Sequence, residues 1–461
     1  APTPPPPPTP TELPNVSCPP FCDNIPPTNT SSTQPTVPTG NPIPVVTLDE
    51  GQIILQAIER DTGVKPAIIY VDFVPAAINR PNDFNAVETS ATVNVAGHLD
   101  RAVQSENVLT TVEPSPDDIL ELLLVLDSGD PIRVQLPGVT RQQVIDKANE
   151  FRGFVTDRRS REDQYLPPAQ QLYNWMLTPL LPDLLEEEVE NIVFIMAEGL
   201  RSLPMAALHD GEQYLTEQFS IGLMPSLSLT DTRYNDVRNS EVLAMGAAEF
   251  ENQFPLPAVP VEIDVIADDL WQGNAFLNEA FTVENLRTLR ERTPFGIVHL
   301  ATHGEFRPGD LSNSYIQLWD RQLSLDDIRE LGLDEPPAEL LVLSACRTAL
   351  GDAQAELGFA GSAVQAGVKS VLASLWYVSD RATLAFMREF YRNLQTAPIK
   401  ANAVQLTQVE MINGEIRIED GVLINSEGDR TVLPASLIVG RGDDLSHPFF
   451  WSAFTLVGNP W

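Results

Sequence analysis

Two short apolar runs, each breaking off into small and polar residues, set the tightest limit on what this chain can fold into. The first reads Phe295-Gly-Ile-Val-His-Leu-Ala-Thr-His303-Gly304-Glu305-Phe306, and the second Glu339-Leu-Leu-Val-Leu-Ser-Ala-Cys346-Arg347-Thr348-Ala-Leu-Gly351. Each run has the length and composition of a strand buried on both faces of a parallel sheet. In an open α/β sheet, chemistry gathers beyond the carboxyl ends of the strands. A histidine and a cysteine delivered there are a base and a thiol nucleophile. Cys346 follows His303 by 43 residues.

Three further stretches surround the pair: Gly199-Leu-Arg-Ser-Leu-Pro-Met-Ala-Ala-Leu-His-Asp-Gly211, the run from Gly361 through Leu375-Trp-Tyr-Val-Ser-Asp380, and His447-Pro-Phe-Phe-Trp-Ser-Ala-Phe-Thr-Leu-Val-Gly458. Taken in order, the five stretches resemble the CHAT family of caspase-like cysteine peptidases, related in fold to caspases and separase, over residues 165–461. The resemblance implies a caspase-like α/β fold, a mainly parallel sheet with helices on both faces. It also implies that Cys346 is the nucleophile, and that His303 is general base and then the acid that protonates the leaving amine. The backbone N–H groups of Gly304 and Cys346 would form the oxyanion hole, where a glycine lets backbone approach the scissile carbonyl closely. Asp380 matches the position at which separase-like enzymes read a basic P1 side chain. No metal or organic cofactor is needed for this chemistry.

Each of these residues also has a plainer reading. Cys346 could be a small buried hydrophobe, and Gly304 a strand terminator. Ser379 or Asp380 could simply cap the helix that follows. His299 and His303 have His-x3-His spacing, but on a strand those positions lie ~13 Å apart, too far to share one ion. His299 is therefore expected in the core.

Charge narrows the partners. With 64 acidic against 29 basic residues and a formal net charge of −35, the chain lacks the basic surface that nucleic acid demands. Anionic lipid is disfavoured for the same reason, and no apolar run approaches the ~20 residues of a membrane span. The expected partner is a protein or peptide substrate, with a regulatory protein as a further possibility. Three cysteines are too few for a disulfide scaffold; Cys18 and Cys22 lie together, leaving Cys346 as the odd thiol. The opening Ala1-Pro-Thr-Pro fits a processed or truncated start, with a secreted or cell-surface location after signal removal, or otherwise a cytoplasmic one.

Composition divides the chain into three. Residues 1–45 hold about sixteen of the forty prolines and read as a disordered linker. Residues 46–164 read as a smaller α+β region similar to the N-terminal part of some bacterial CHAT proteins. It comprises a helix from Leu48, a strand Pro66–Val74, a hairpin turning at Ser128-Gly129-Asp130-Pro131 and a helix Val139–Phe154. Residues 165–461 alternate strands with helices, opening on a helix with Pro167 and Pro168 in its first turn. No tetratricopeptide-like repeat is present. Two rivals to an active peptidase remain: a non-catalytic CHAT interaction module tethered by the Pro-rich tail, and a latent protease that requires a partner.

Overall fold

The computed structural model describes residues 46–75, 114–305, 314–345, 358–438 and 442–461. The Pro-rich stretch 1–45, and Cys346 with its neighbours 347–357, lie outside them. Chain order gives the strands β1 (Pro66–Val74), β2 (Ile119–Val125), β3 (Ile132–Thr140), β4 (Asn191–Met196), β5 (Ser220–Leu223), β6 (Val242–Gly246), β7 (Gly273–Leu277) and β8 (Ile297–Ala301). The short β9 (Gly304–Glu305), β10 (Tyr315–Gln317) and β11 (Gln322–Ser324) precede β12 (Leu340–Ser344) and β13 (Ser370–Ser374). A small sheet of β14 (Arg417–Glu419), β15 (Val422–Ile424), β16 (Arg430–Val432) and β17 (Gly442–Asp443) comes before β18 (Phe454–Gly458).

Among the described residues, eleven strands join in one sheet, in the order β3-β2-β1-β4-β5-β18-β13-β12-β8-β6-β7. The sheet is mixed and mostly parallel. Antiparallel pairing is confined to the hairpin edge, β3-β2-β1, and to the β18–β13 contact. Every residue of β6, β8, β12 and β13 is buried. Successive strand residues point to opposite faces, so uniform burial means that both faces of the sheet are covered.

Local chemistry explains most of the element boundaries. Thr47 and Thr140 open their helices with reciprocal caps to Glu50 and Gln143. Thr282 accepts the Asn285 N–H, but the Asn285 side chain donates to the Ala280 carbonyl instead of completing the box. Asp420 and Gly421, with φ of 48° and 78°, turn the β14–β15 hairpin, the double left-handed conformation that Asp-Gly favours.

One expectation needs correction. The helix around Pro167 and Pro168 runs Glu162–Met176, so the prolines sit in its second turn rather than its first. The earlier start is favoured by Glu162 and Asp163 at the positive end of the helix dipole, and by Gln164, whose side chain accepts the Arg161 N–H at 3.0 Å. Ser324 precedes a 3-10 helix, Leu325–Leu331, and its hydroxyl donates to the Asp327 carboxylate instead of capping.

The closing aromatic run seals the interior. Trp451 and Trp461 are fully buried, and the Trp461 indole donates to Asn191 Oδ1 at 2.8 Å. Phe386 and Phe454 stack at 4.0 Å. At the end of β18, Gly458 holds φ of 98°, and a Cβ there would lie 2.4 Å from the Lys369 carbonyl oxygen. Gly458→Ala is therefore expected to destabilise the fold by more than about 1 kcal/mol. Urea unfolding checks this as a lower midpoint with an unchanged slope.

Candidate active site

The strands β6, β8, β12 and β13 all run in one direction, so their carboxyl ends emerge along one edge of the sheet. Hydrogen bonds between the ends set their relative height. The Ala247 N–H donates to the Ala301 carbonyl at 3.0 Å, and the Thr302 N–H to the Ser344 carbonyl at 3.2 Å. From β13, the Ser374 hydroxyl donates to the Ala345 carbonyl at 2.8 Å. Above this edge is a solvent-open cleft whose lining includes Thr302, Ser344, Ala345, Ser374, Glu262 and Asp380. Cys346, the next residue after Ala345, lies outside the described residues.

His303 stands two residues beyond β8. Its Nε2 is 2.7 Å from the Phe254 carbonyl oxygen, a partner that can only accept, so Nε2 carries the proton. In the neutral ring this leaves Nδ1 as the basic nitrogen. The Phe250 ring packs against the imidazole at 4.6 Å. Burial depresses the His303 pKa below the ordinary imidazole value, and the Phe254 carbonyl opposes that shift only in part. A histidine of this kind is uncharged at neutral pH and able to take a proton.

Gly304 faces Ile316 across the β9–β10 ladder, and the Gln317 N–H donates to the His303 carbonyl. That pattern makes Gly304 and Ile316 a non-hydrogen-bonded pair. The Gly304 N–H therefore points away from β10. Glu305, for which the sequence suggests no role, accepts from the Tyr315 hydroxyl at 3.0 Å.

Asp380 is the first residue of the helix Asp380–Leu394, yet neither it nor Ser379 acts as a side-chain cap. Ser379 occupies the cap position without a cap hydrogen bond. Asp380 Oδ2 instead accepts the Ala258 N–H at 2.8 Å, so the capping alternative does not describe this carboxylate. Burial pushes its pKa from 3.8 up to about 6; the Ala258 hydrogen bond works against the rise, and the Glu262 charge adds to it.

His299 is a core residue, as its position within the strand suggests. It is fully buried, with Nε2 2.9 Å from Glu262 Oε1 and Nδ1 3.2 Å from the Tyr391 hydroxyl. One tautomer satisfies all three groups: Tyr391 donates to Nδ1, and Nε2–H donates to Glu262. No cluster of three or more potential metal ligands occurs among the described residues. Sequence reasoning did not single out Glu262, Phe250, Phe254 or Ser374. Each acts through a contact made across the fold, and none carries a local signal.

The profile of the CHAT domain matches residues 166–459 of this chain. No curated protein matches it in sequence. Among solved structures it is similar to separase in the Saccharomyces cerevisiae separase–securin complex, with 11% identity and a TM-score of 0.46. That match covers 88% of this chain and 31% of the separase chain, so this chain spans about a third of that relative. It is also similar to the Arg-specific cysteine proteinase gingipain R, with 10% identity, a TM-score of 0.36, and coverage of 69% of this chain and 74% of the other. The complex of Porphyromonas gingivalis RgpB pro- and mature domains gives 10% identity, a TM-score of 0.37, and coverage of 69% and 76%.

The raised Asp380 pKa has a consequence for stability. The fold disfavours the ionised form, so this group's contribution is intact below about pH 4 and turns unfavourable as pH rises through its folded value of about 6. Asp380→Asn keeps an acceptor for the Ala258 N–H but cannot ionise. Thermal melts are expected to place the variant above the parent chain at pH 7.5, with the gap closing towards pH 4.

Proposed function

Because the chain belongs to the CHAT domain family, we propose that it is a cysteine endopeptidase working through His303 and Cys346. The observation that carries this reading is the state of His303, a neutral, half-buried imidazole at a strand end. Its Nε2–H is engaged by the Phe254 carbonyl and Nδ1 is left as the base. Nδ1 takes the thiol proton as the Cys346 sulfur attacks the peptide carbonyl carbon. The resulting oxyanion is held by the N–H groups of Gly304 and Cys346, a role consistent with the Gly304 N–H facing away from β10. Collapse of the tetrahedral intermediate breaks the C–N bond, and His303 gives its proton to the departing amine. Water, deprotonated by the same nitrogen, then cleaves the thioester, releasing the acid and restoring the thiol.

Asp380 is assigned to the P1 side chain. It lines the same cleft as Ser344 and Ala345, and a half-buried carboxylate there favours lysine or arginine. The net charge of −35 adds long-range attraction for basic substrates. Residues 165–461 are taken as the peptidase domain, with 46–164 as a packing portion beside it.

A peptide library incubated with the pure chain, beside Cys346→Ala and His303→Ala, tests the reading by mass spectrometry of the products. Cuts after Arg or Lys, absent in both variants, are the expected result. Asp380→Asn should lower kcat/KM for basic P1 peptides by roughly two orders of magnitude, as expected for removing one partner of a partly buried charge pair. Cuts that persist in Cys346→Ala would remove the thiol mechanism, and a folded chain that cuts nothing would favour the interaction module.

A further inference from the structure

Between β6 and the helix Val259–Asp264 the chain forms a loop, 247–258, that touches both halves of the site. Its start is fixed by the Ala247 N–H on the Ala301 carbonyl and the Ala248 N–H on Asn278 Oδ1, at 3.0 and 2.9 Å. The Leu256 N–H donates back to the Ala248 carbonyl at 2.9 Å, closing the loop on itself. Within that closure, Phe250 packs on the His303 ring and the Phe254 carbonyl accepts from His303 Nε2. Two residues beyond the closure, the Ala258 N–H donates to Asp380 Oδ2.

The side chain of Phe254 is 84% exposed. Its ring therefore supplies little packing to hold the carbonyl that orients His303. Gln253 beside it adds one long hydrogen bond, 3.4 Å to the Tyr315 hydroxyl. The carbonyl's position depends on how the closed loop is pinned, and at the far end one of the pins is a carboxylate.

We propose that Asp380 is a positioning residue for His303, acting through the loop 247–258, whose Ala258 end it anchors while the Phe254 carbonyl of the same loop orients the imidazole. Oδ2 holds the loop, leaving Oδ1 for a cationic P1 group, so substrate reading and base orientation share one side chain. This rests on His303 being the base assigned above, but the test needs no turnover.

The test is an NMR titration of the His303 imidazole in the full chain carrying Cys346→Ala, with His303→Gln to identify the resonance. Asp380→Ala removes both charge and anchor; Asp380→Asn removes the charge and retains an acceptor. Burial is the main reason the His303 pKa is low. Releasing the loop uncovers the ring, so Asp380→Ala should move its titration upward toward the ordinary imidazole value. Asp380→Asn should leave it near the parent value. Inserting Gly-Gly between Pro257 and Ala258 slackens the tether with Asp380 intact, and should reproduce the Asp380→Ala shift. It also decides the matter if Asp380→Ala fails to fold. Equal titrations in the Ala and Asn variants, or a parental value in the insertion variant, would overturn the proposal. The expected shifts in a chain that cuts no peptide would leave the anchor standing and remove the peptidase reading alone.

Discussion

A histidine buried in the middle of a strand needs partners for both ring nitrogens, and meeting that need at His299 fixes two helices over β8. Glu262 comes from Val259–Asp264 and Tyr391 from Asp380–Leu394. An unsatisfied polar group at this depth would cost about 1–3 kcal/mol, so neither helix can slide without a penalty. Burial keeps the Tyr391 phenol protonated, raising its pKa well above the ordinary value, which suits its role as donor. The site inherits this arrangement. Asp380 begins the helix that carries Tyr391, about three turns before it, and Ala258 immediately precedes the helix that carries Glu262. The contact between Ala258 and Asp380 is thus made between two helix starts already registered against the same strand.

That registration gives Asp380 a position that does not suit its charge. A carboxylate would be more stable in open water than beside Glu262 in a cleft, as its raised pKa records. Functional sites commonly retain groups that weaken the fold, and the P1 role proposed for Asp380 would make it such a group. Burial that disfavours the bare anion also strengthens its attraction for a cation, because the screening by water is reduced. His303 shows the converse case. Its low pKa keeps it neutral, which is the form a base requires.

Much of this was legible in the sequence because it depends on near neighbours. Period and composition marked β8 and β12, the helix from Leu48 and the strand Pro66–Val74, while the helix expected over Val139–Phe154 begins at Arg141, because Val139 and Thr140 close β3. The polar residues that end the two runs, Thr302-His303 and Ser344, stand out because the strand residues before them are apolar apart from His299. What escaped reading depends on distant pairing. Glu262 looks like any acidic residue in a short helix, and Phe254 like a loop hydrophobe, until the fold sets them against His299 and His303. The capping reading of Ser379 and Asp380 was locally reasonable, and it fails because Ala258, 122 residues away, offers an N–H in the right place. Pro167 and Pro168 differ in that the competing signal is local: the acidic start one turn earlier outweighs the preference of proline for the first turn.

The position of β18 shows how far the site depends on chain order. This last strand lies in the middle of the sheet, between β5 and β13, rather than at an edge. Its neighbourhood supports the site directly. The Leu375 N–H donates to the Ala453 carbonyl, and the Trp376 indole to the Phe449 carbonyl at 2.9 Å. These bonds hold the segment that leads from β13 to Asp380. β13 also supplies the Ser374 hydroxyl that holds the Ala345 carbonyl, one residue before Cys346. Until β18 is in place, β13 lacks one of its two partners and the segment to Asp380 lacks its support. The supports of the Ala345 carbonyl and of the segment to Asp380 therefore both lead back to β13 and its pairing with the final strand.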